Sequence, residues 1–250
     1  MLQENKNTVH PCYTVRVKLL LKVDGRLPVS YSYYMGSYII RSLARENEEI
    51  AALLHNASPF KPYHFSRLLA RPAKVENGFL YFKRNTNATI YIASADDEVI
   101  LSILDAVLAR GAVRIWKRTY SVEGVEKVDY PDSPLRYRTL SPVYVSITEN
   151  GKKRALAPTD PLFHEELIQN LVRKYHFFTG KRFRGKVSIT YEDVQPRMRY
   201  VKRTPIPCYD LGGTITADED VLRLIWDVGL GEKNALGFGM VGHADVHSNG

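Results

Sequence analysis

One order of secondary structure, strand-helix-strand-strand-helix-strand, can be read twice along this chain. Residues 13–23 alternate apolar Val15, Val17 and Leu19 with Arg16 and Lys18, the period-two signature of a strand. Residues 32–45 then read as a helix. Residues 47–55 read as a second short helix, with Asn47 as its cap and Glu48 and Glu49 in its first turn. Strand patterns follow at 63–70, 78–83 and 89–93. A helix over 96–110 begins with acids and ends on Arg110-Gly111, and strands at 112–117 and 120–128 close the first half.

The turn-rich run YPDSPLRYRTLSP over 130–142 reads as a connection. Beyond it the order returns: a strand at 143–148 with a hairpin partner at 154–156, a helix at 161–178, strands at 186–191, 199–204 and 208–216, and a helix at 218–228. A glycine-rich loop and a last strand at 238–243 end the pattern. Strand-helix-strand-strand-helix-strand is the ferredoxin-like order, which RNA-recognition modules share. The expected fold is α+β, two tandem ferredoxin-like domains over 1–130 and 142–250 joined by a linker at 131–141. A groove between them would suit an extended single strand.

Of 250 residues, 44% are hydrophobic and 25% charged, an ordinary globular balance that excludes disordered and fibrous classes. No apolar run approaches the roughly 18–20 residues needed to span a bilayer, and the first residues lack the basic-then-apolar order of a secretory signal. Cys12 and Cys208 have neither metal-ligand nor disulfide-framework spacing, as expected of reduced thiols. A soluble cytoplasmic protein without membrane partner, metal or cofactor is the expectation.

The charge points to an anionic partner: 35 Lys and Arg against 27 Asp and Glu leave a net +8. Eight of those cations fall within residues 181–203, Arg199, Lys202 and Arg203 among them, interleaved with Phe183, Tyr191 and Tyr200. Rings stack on unpaired bases while cations hold phosphates, so this composition suits single-stranded nucleic acid, although a charge run is commonly just a solvated face.

VGLGEKNALGFGMVG, residues 228–242, holds five glycines around Lys233 and Asn234. A dinucleotide fingerprint follows a strand and opens a helix, whereas this segment follows a helix and leads to a strand. It also lacks the Gly-Lys-Ser/Thr of a nucleoside-triphosphate loop. A helix C-cap accounts for Gly229. Gly231, Gly237 and Gly239 with Lys233 and Asn234 read as backbone built for close approach to a phosphodiester.

GLGEKNALGFGMV resembles the C-terminal glycine-rich motif of the RAMP superfamily, and most closely that of the CRISPR endoribonucleases of the Cas-six type. LHNASPFKPYHFS (54–66) and LSPV (140–143) carry the resemblance along essentially the whole chain. It implies two ferredoxin-like domains and CRISPR repeat RNA, within precursor CRISPR RNA, as partner. It further implies metal-free cleavage in which the ribose 2′-OH attacks the adjacent phosphorus, leaving a 2′,3′-cyclic phosphate and a 5′-OH.

Seven histidines compete for acid–base work: His10, His55, His64, His164, His176, His243 and His247. His55 falls away from the apolar face of its expected helix and near its C-terminus, and it matches the family's catalytic histidine. Lys61 matches the lysine that stabilises the transition state. The family tyrosine lies fifteen residues before the histidine, where this chain has Ile40. Tyr38 is the nearby candidate to replace it, and Arg41 on the same helix is expected to face RNA. Two rivals stay open: a non-cleaving repeat-RNA binder of the same fold, as a dimer or effector-complex subunit, and a small-molecule nucleotide enzyme using the glycine-rich loop.

Overall fold

A computed structural model describes residues 16–46, 52 and 59–245. The first half comprises β1 (Arg16–Pro28), α1 (Tyr31–Glu46), β2 (Tyr63–Phe65), β3 (Lys74–Glu76), β4 (Phe79–Ser94), α2 (Asp97–Arg110), β5 (Ala112–Ile115) and β6 (Arg118–Val128). Its antiparallel sheet runs β2-β4-β1-β6-β5, with β3 as an extra partner of β4. Without the added β5 and β3 this is the ferredoxin-like order, with the first and third strands of the repeat at its centre. Met35, Ile39 and Leu43 recur every four residues on α1 and pack on the sheet with Val99, Ile103 and Val107 of α2. Sharp ends on α2 follow from local chemistry. The Asp96 carboxylate accepts from the Glu98 and Val99 amides, and Gly111 takes the left-handed C-cap.

The second half comprises β7 (Leu135–Thr139), β8 (Ser146–Glu149), β9 (Lys152–Ala155), α3 (Pro161–Thr179), β10 (Val187–Ile189), β11 (Asp193–Val201), β12 (Thr204–Ala217), α4 (Glu219–Val228) and β13 (Val241–His243). Its sheet runs β10-β12-β7-β13, the same arrangement again, while β11 forms a hairpin with β12, and β8 and β9 pair separately. The tandem ferredoxin-like fold is therefore as expected.

Two local expectations change. Residues 135–139, read as linker, form β7, the central strand of the second sheet, pairing with β12 on one side and β13 on the other. The alternating burial of Leu135, Tyr137 and Thr139 is a strand signature, masked in sequence by the flanking Pro, Asp and Ser residues. Residues 78–83 and 89–93 belong to one strand, β4. The polar run between them is absorbed where the register with β1 shifts between Val23 and Gly25, and Asn85 takes φ 59° there. The short helix expected over 47–55 lies outside the described residues, apart from residue 52 within a helix.

Polar ties join the halves. The Arg16 guanidinium, at the start of β1, donates to the carbonyls of Trp226 and Val241 and lies 3.4 Å from the Trp226 ring centre. Burial lowers it to about 9, with Asp227 opposing that fall. Arg67 donates to both carboxylate oxygens of Asp210 at 2.8 and 3.0 Å, and Arg197 donates to the same carboxylate at 2.7 Å.

Candidate nucleic-acid interface

The glycine-rich loop sits where the two halves meet, and it is packed rather than open. A Cβ on Gly239 would stand 1.9 Å from the Leu230 carbonyl, and one on Gly231 2.5 Å from the Tyr144 carbonyl. On Gly237 it would meet the Phe65 ring of the first half at 2.7 Å, and on Gly229 the His64 imidazole at 2.7 Å. All four glycines also have positive φ, which only glycine adopts without strain. Protein atoms already occupy the space these glycines leave, so their lack of a side chain serves close packing within the protein. Asn234 is likewise committed internally. Its amide nitrogen donates to the Leu230 and Phe238 carbonyls, at 3.0 and 3.1 Å.

Lys174 holds the loop from α3. Its ammonium donates to Gly229 O, Gly231 O and Asn234 Oδ1 at 2.7–2.8 Å, and burial lowers it to about 7 while Glu232 opposes. Sequence reasoning missed this residue, but a signal existed. Phe163, Leu167, Leu171 and Lys174 share the buried stripe of α3, and a lysine on an apolar stripe asks for acceptors inside. Glu232 locks the loop to the β8–β9 hairpin, accepting from the Ser146 amide and hydroxyl at 2.9 and 2.7 Å and from Lys153 at 3.3 Å.

Beside the loop lies a cleft of about 1270 Å³, walled by α1 and residues 59–61 on one side and by α3, β8 and β9 on the other. Arg41, Lys61, Lys153, Arg173 and Lys233 line it. Its two carboxylates, Glu166 and Glu232, are paired with Arg173 and Lys153. The surface is therefore net cationic, and the volume exceeds the roughly 300–1,000 Å³ of a small-molecule pocket.

Lys61, half-buried, and Arg41, exposed, both line this cleft, and so does Lys233, exposed above the Tyr144 ring at 5.2 Å. Ile40 lines it as well, at the position of the family tyrosine. Tyr38 does not. Two residues apart on a helix means about 200° of rotation, so Tyr38 and Ile40 face apart. The Tyr38 hydroxyl donates to the Ala112 carbonyl at 3.0 Å in a separate recess. Arg199 and Lys202 pack against the N-terminal end of α1. Arg199 donates to the Ser32 hydroxyl and lies 5.4 Å from the Tyr31 ring, and Lys202 stands 5.4 Å from the Tyr33 ring. Arg203 is exposed beside them in the β11–β12 turn.

Among the histidines, His10, His55 and His247 lie outside the described residues. His64 is wholly buried. Its Nε2 lies 3.0 Å from the Trp226 carbonyl, and burial, reinforced by Arg16, holds it well below the ordinary imidazole range. It is a neutral structural group. His164 bonds the Tyr191 hydroxyl at 2.9 Å, His176 faces the Lys181 carbonyl at 3.3 Å, and His243 packs edge-on to Trp226.

Two ferredoxin-like domains closed around a buried C-terminal glycine-rich loop, with a cationic cleft between them, define a tandem ferredoxin-like protein with a surface suited to an anionic strand. The chain belongs to the Cas6 family: residues 26–126 match the family description "CRISPR-associated protein Cas6, N-terminal" and residues 126–242 match "CRISPR associated protein Cas6, C-terminal". The CRISPR-associated endoribonuclease Cas6 1 of Methanocaldococcus jannaschii is 28% identical over 235 residues, covering 91% of this chain and 92% of that protein. The endoribonuclease-like protein Cas6nc of Pyrococcus horikoshii is 27% identical, covering 91% and 98%. A solved structure described as a RAMP protein binding different RNA substrates superimposes with a TM-score of 0.79 at 26% identity, covering 92% of this chain and all of that one. The family processes CRISPR RNA, and its curated members in Methanocaldococcus jannaschii and Pyrococcus furiosus are named as endoribonucleases, whereas the Pyrococcus horikoshii protein is named only as endoribonuclease-like.

Proposed function

We propose that this protein is a metal-independent endoribonuclease that binds CRISPR repeat RNA and cuts precursor CRISPR RNA within the repeat. The supporting observation is the convergence of Lys61, Arg41 and Lys233 on one cationic cleft between the domains. In the proposed reaction the ribose 2′ oxygen attacks phosphorus as a base removes its proton. The P–O5′ bond breaks and the 5′ oxygen takes a proton, leaving a 2′,3′-cyclic phosphate. Lys61 stabilises the charge building on the phosphorane oxygens. His55 serves the proton transfers. Repeat RNA passes through the cleft, with its phosphates on Arg41 and Lys233.

A second reading, a non-cleaving repeat-RNA binder, is favoured by Ile40, whose side chain cannot move a proton at the tyrosine's place. Incubating repeat RNA with saturating protein in EDTA separates the two. The nuclease yields a chelator-resistant 5′-OH product, and His55→Ala abolishes it while binding stays within about threefold. Intact RNA at saturation would leave the binder. A product lost in EDTA would overturn the metal-independent mechanism.

A further inference from the structure

A second recess, of about 420 Å³, opens on the other side of α1, between that helix and the β5–β6 hairpin. Its volume lies near the lower end of the roughly 300–1,000 Å³ typical of pockets for single small molecules, so it has room for a base and its phosphate. Arg41, Arg45, Arg110 and Arg114 line it together with the rings of Tyr38 and Trp116, and no carboxylate side chain joins them among the described residues. Two of these groups are fixed in place: Tyr38 donates to the Ala112 carbonyl at 3.0 Å, and Arg110 to the Ser42 hydroxyl at 3.3 Å.

Trp116 supplies an independent observation. It occupies the two-residue turn between β5 and β6, where Ile115 pairs with Arg118, and has φ 57°. Tight hairpin turns of this kind take Asn, Asp or Gly, because left-handed backbone crowds a Cβ. A bulky indole there is strained, and backbone strain of this sort is held in place where a site needs it. The ring is half-buried, set against Phe79 with centroids 5.8 Å apart and with the Lys117 ammonium 5.5 Å from its centre, and it lines the recess together with the arginines.

We infer that this recess binds one unpaired nucleotide of the RNA strand as it leaves the interdomain cleft, its base stacked on Trp116 and its phosphate among Arg41, Arg45 and Arg114. Aromatic faces take any base, and guanidinium forks match phosphate oxygens two at a time. Arg41 gives the path. It lines both the cleft and the recess, so a strand lying on it passes around the exposed edge of α1 from one to the other. The inference rests on the RNA-binding reading above and adds a contact outside the catalytic cleft.

Trp116 and Trp226 are the chain's two tryptophans, and Trp226 is 1% exposed, so quenching by a stacked base reports on Trp116. The full chain is titrated in EDTA with repeat RNA and, separately, with UMP, and RNA affinity is followed by filter binding. Repeat RNA quenches the wild-type emission. Trp116→Asn, which suits the left-handed turn, removes that quenching at an unchanged melting temperature and weakens binding about fivefold or more. Arg114→Glu weakens binding similarly. If UMP quenches as fully as RNA at equal nucleotide concentration, the recess is a free-nucleotide site and the strand assignment falls. If wild-type protein binds RNA without quenching and both variants keep full affinity, the recess assignment fails while the RNA reading stands. Absence of any RNA binding by wild type removes both.

Discussion

Gly239→Ala separates a structural loop from a phosphate-binding one. Gly239 has φ 73°, and a Cβ there would lie 1.9 Å from the Leu230 carbonyl, a backbone atom that cannot swing aside. Two buried hydrogen bonds hold this spot: Leu230 N to Gly239 O and Gly239 N to Pro142 O, each 2.8 Å. Relieving the overlap breaks or stretches both. Left-handed backbone for alanine costs about 1–2 kcal/mol. Each of these two bonds lost, with one buried group left unpaired, costs about 1–3 kcal/mol more. The total of about 3–8 kcal/mol is a large share of the 5–15 kcal/mol that typically holds a domain together. Gly151 is the matched control, because its φ is 74° and nothing lies within 4 Å of its missing Cβ. Gly151→Ala therefore isolates the backbone cost. Thermal unfolding followed by circular dichroism should place Gly239→Ala at least about 4 °C below Gly151→Ala, since 1 kcal/mol is worth about 2–4 °C in a chain of this size. RNA affinity measured well below both transitions should change little. Equal melting temperatures for the two variants, with a tenfold loss of RNA affinity confined to Gly239→Ala, would refute this reasoning and restore the open phosphate cradle.

Lys233→Ala should do the reverse, keeping the melting temperature while reducing RNA affinity and flattening the slope of log K against log salt by about 0.7–0.9. An unchanged slope would remove Lys233 from the phosphate path. Lys174 sets a stability effect on the alkaline side. Its folded value of about 7 lies below its ordinary 10.5, so between these pH values the unfolded chain keeps a proton that the folded one has released. Stability therefore rises with pH across that window, by up to about 1.4 kcal/mol per unit, and Lys174→Met should lose this rise. Parallel melting-temperature curves for the two proteins from pH 7 to 9.5 would contradict it. His64, held below its ordinary 6.5, acts on the acid side: as pH falls through 6.5 the unfolded chain gains a proton that the folded state refuses, and stability drops. His64→Gln should show a shallower acid loss in urea midpoints measured between pH 7.5 and 5, and an equal loss would mean that His64 is not the group responsible.

How far the sequence speaks for this molecule depends on whether a feature is local. The ends of α2 were legible because caps are local chemistry: Asp96 and Gly111 terminate it where their types suggest, and Asp160 and Gly180 cap α3 by the same means. The tandem order survived for the same reason, since each strand's alternation is written in its own residues. β7 was hidden because prolines around it signal turns more loudly than five alternating residues signal a strand. The meaning of the glycines was not local at all. Gly237 needs room for Phe65, more than 170 positions earlier, and no pattern within residues 228–242 can reveal that neighbour. Tyr38 was a different matter, because its 200° turn from Ile40 follows from helix geometry alone. Lys61 and Arg41 were placed in the cleft by resemblance and by helix face, whereas Lys174 needed its buried acceptors to become intelligible.

Arg16 carries a consequence for how the molecule is made. Its acceptors, the carbonyls of Trp226 and Val241, are 210 and 225 positions away along the chain. At roughly 5–20 residues per second of synthesis, the first strand waits about 10–45 s for the last of them to emerge. Until then its guanidinium must stay in water, and the edge of the first sheet where Trp226 will sit stays uncovered. The N-terminal half can collapse before then, but its final closure waits until residues 226–241 have been made and can dock on it.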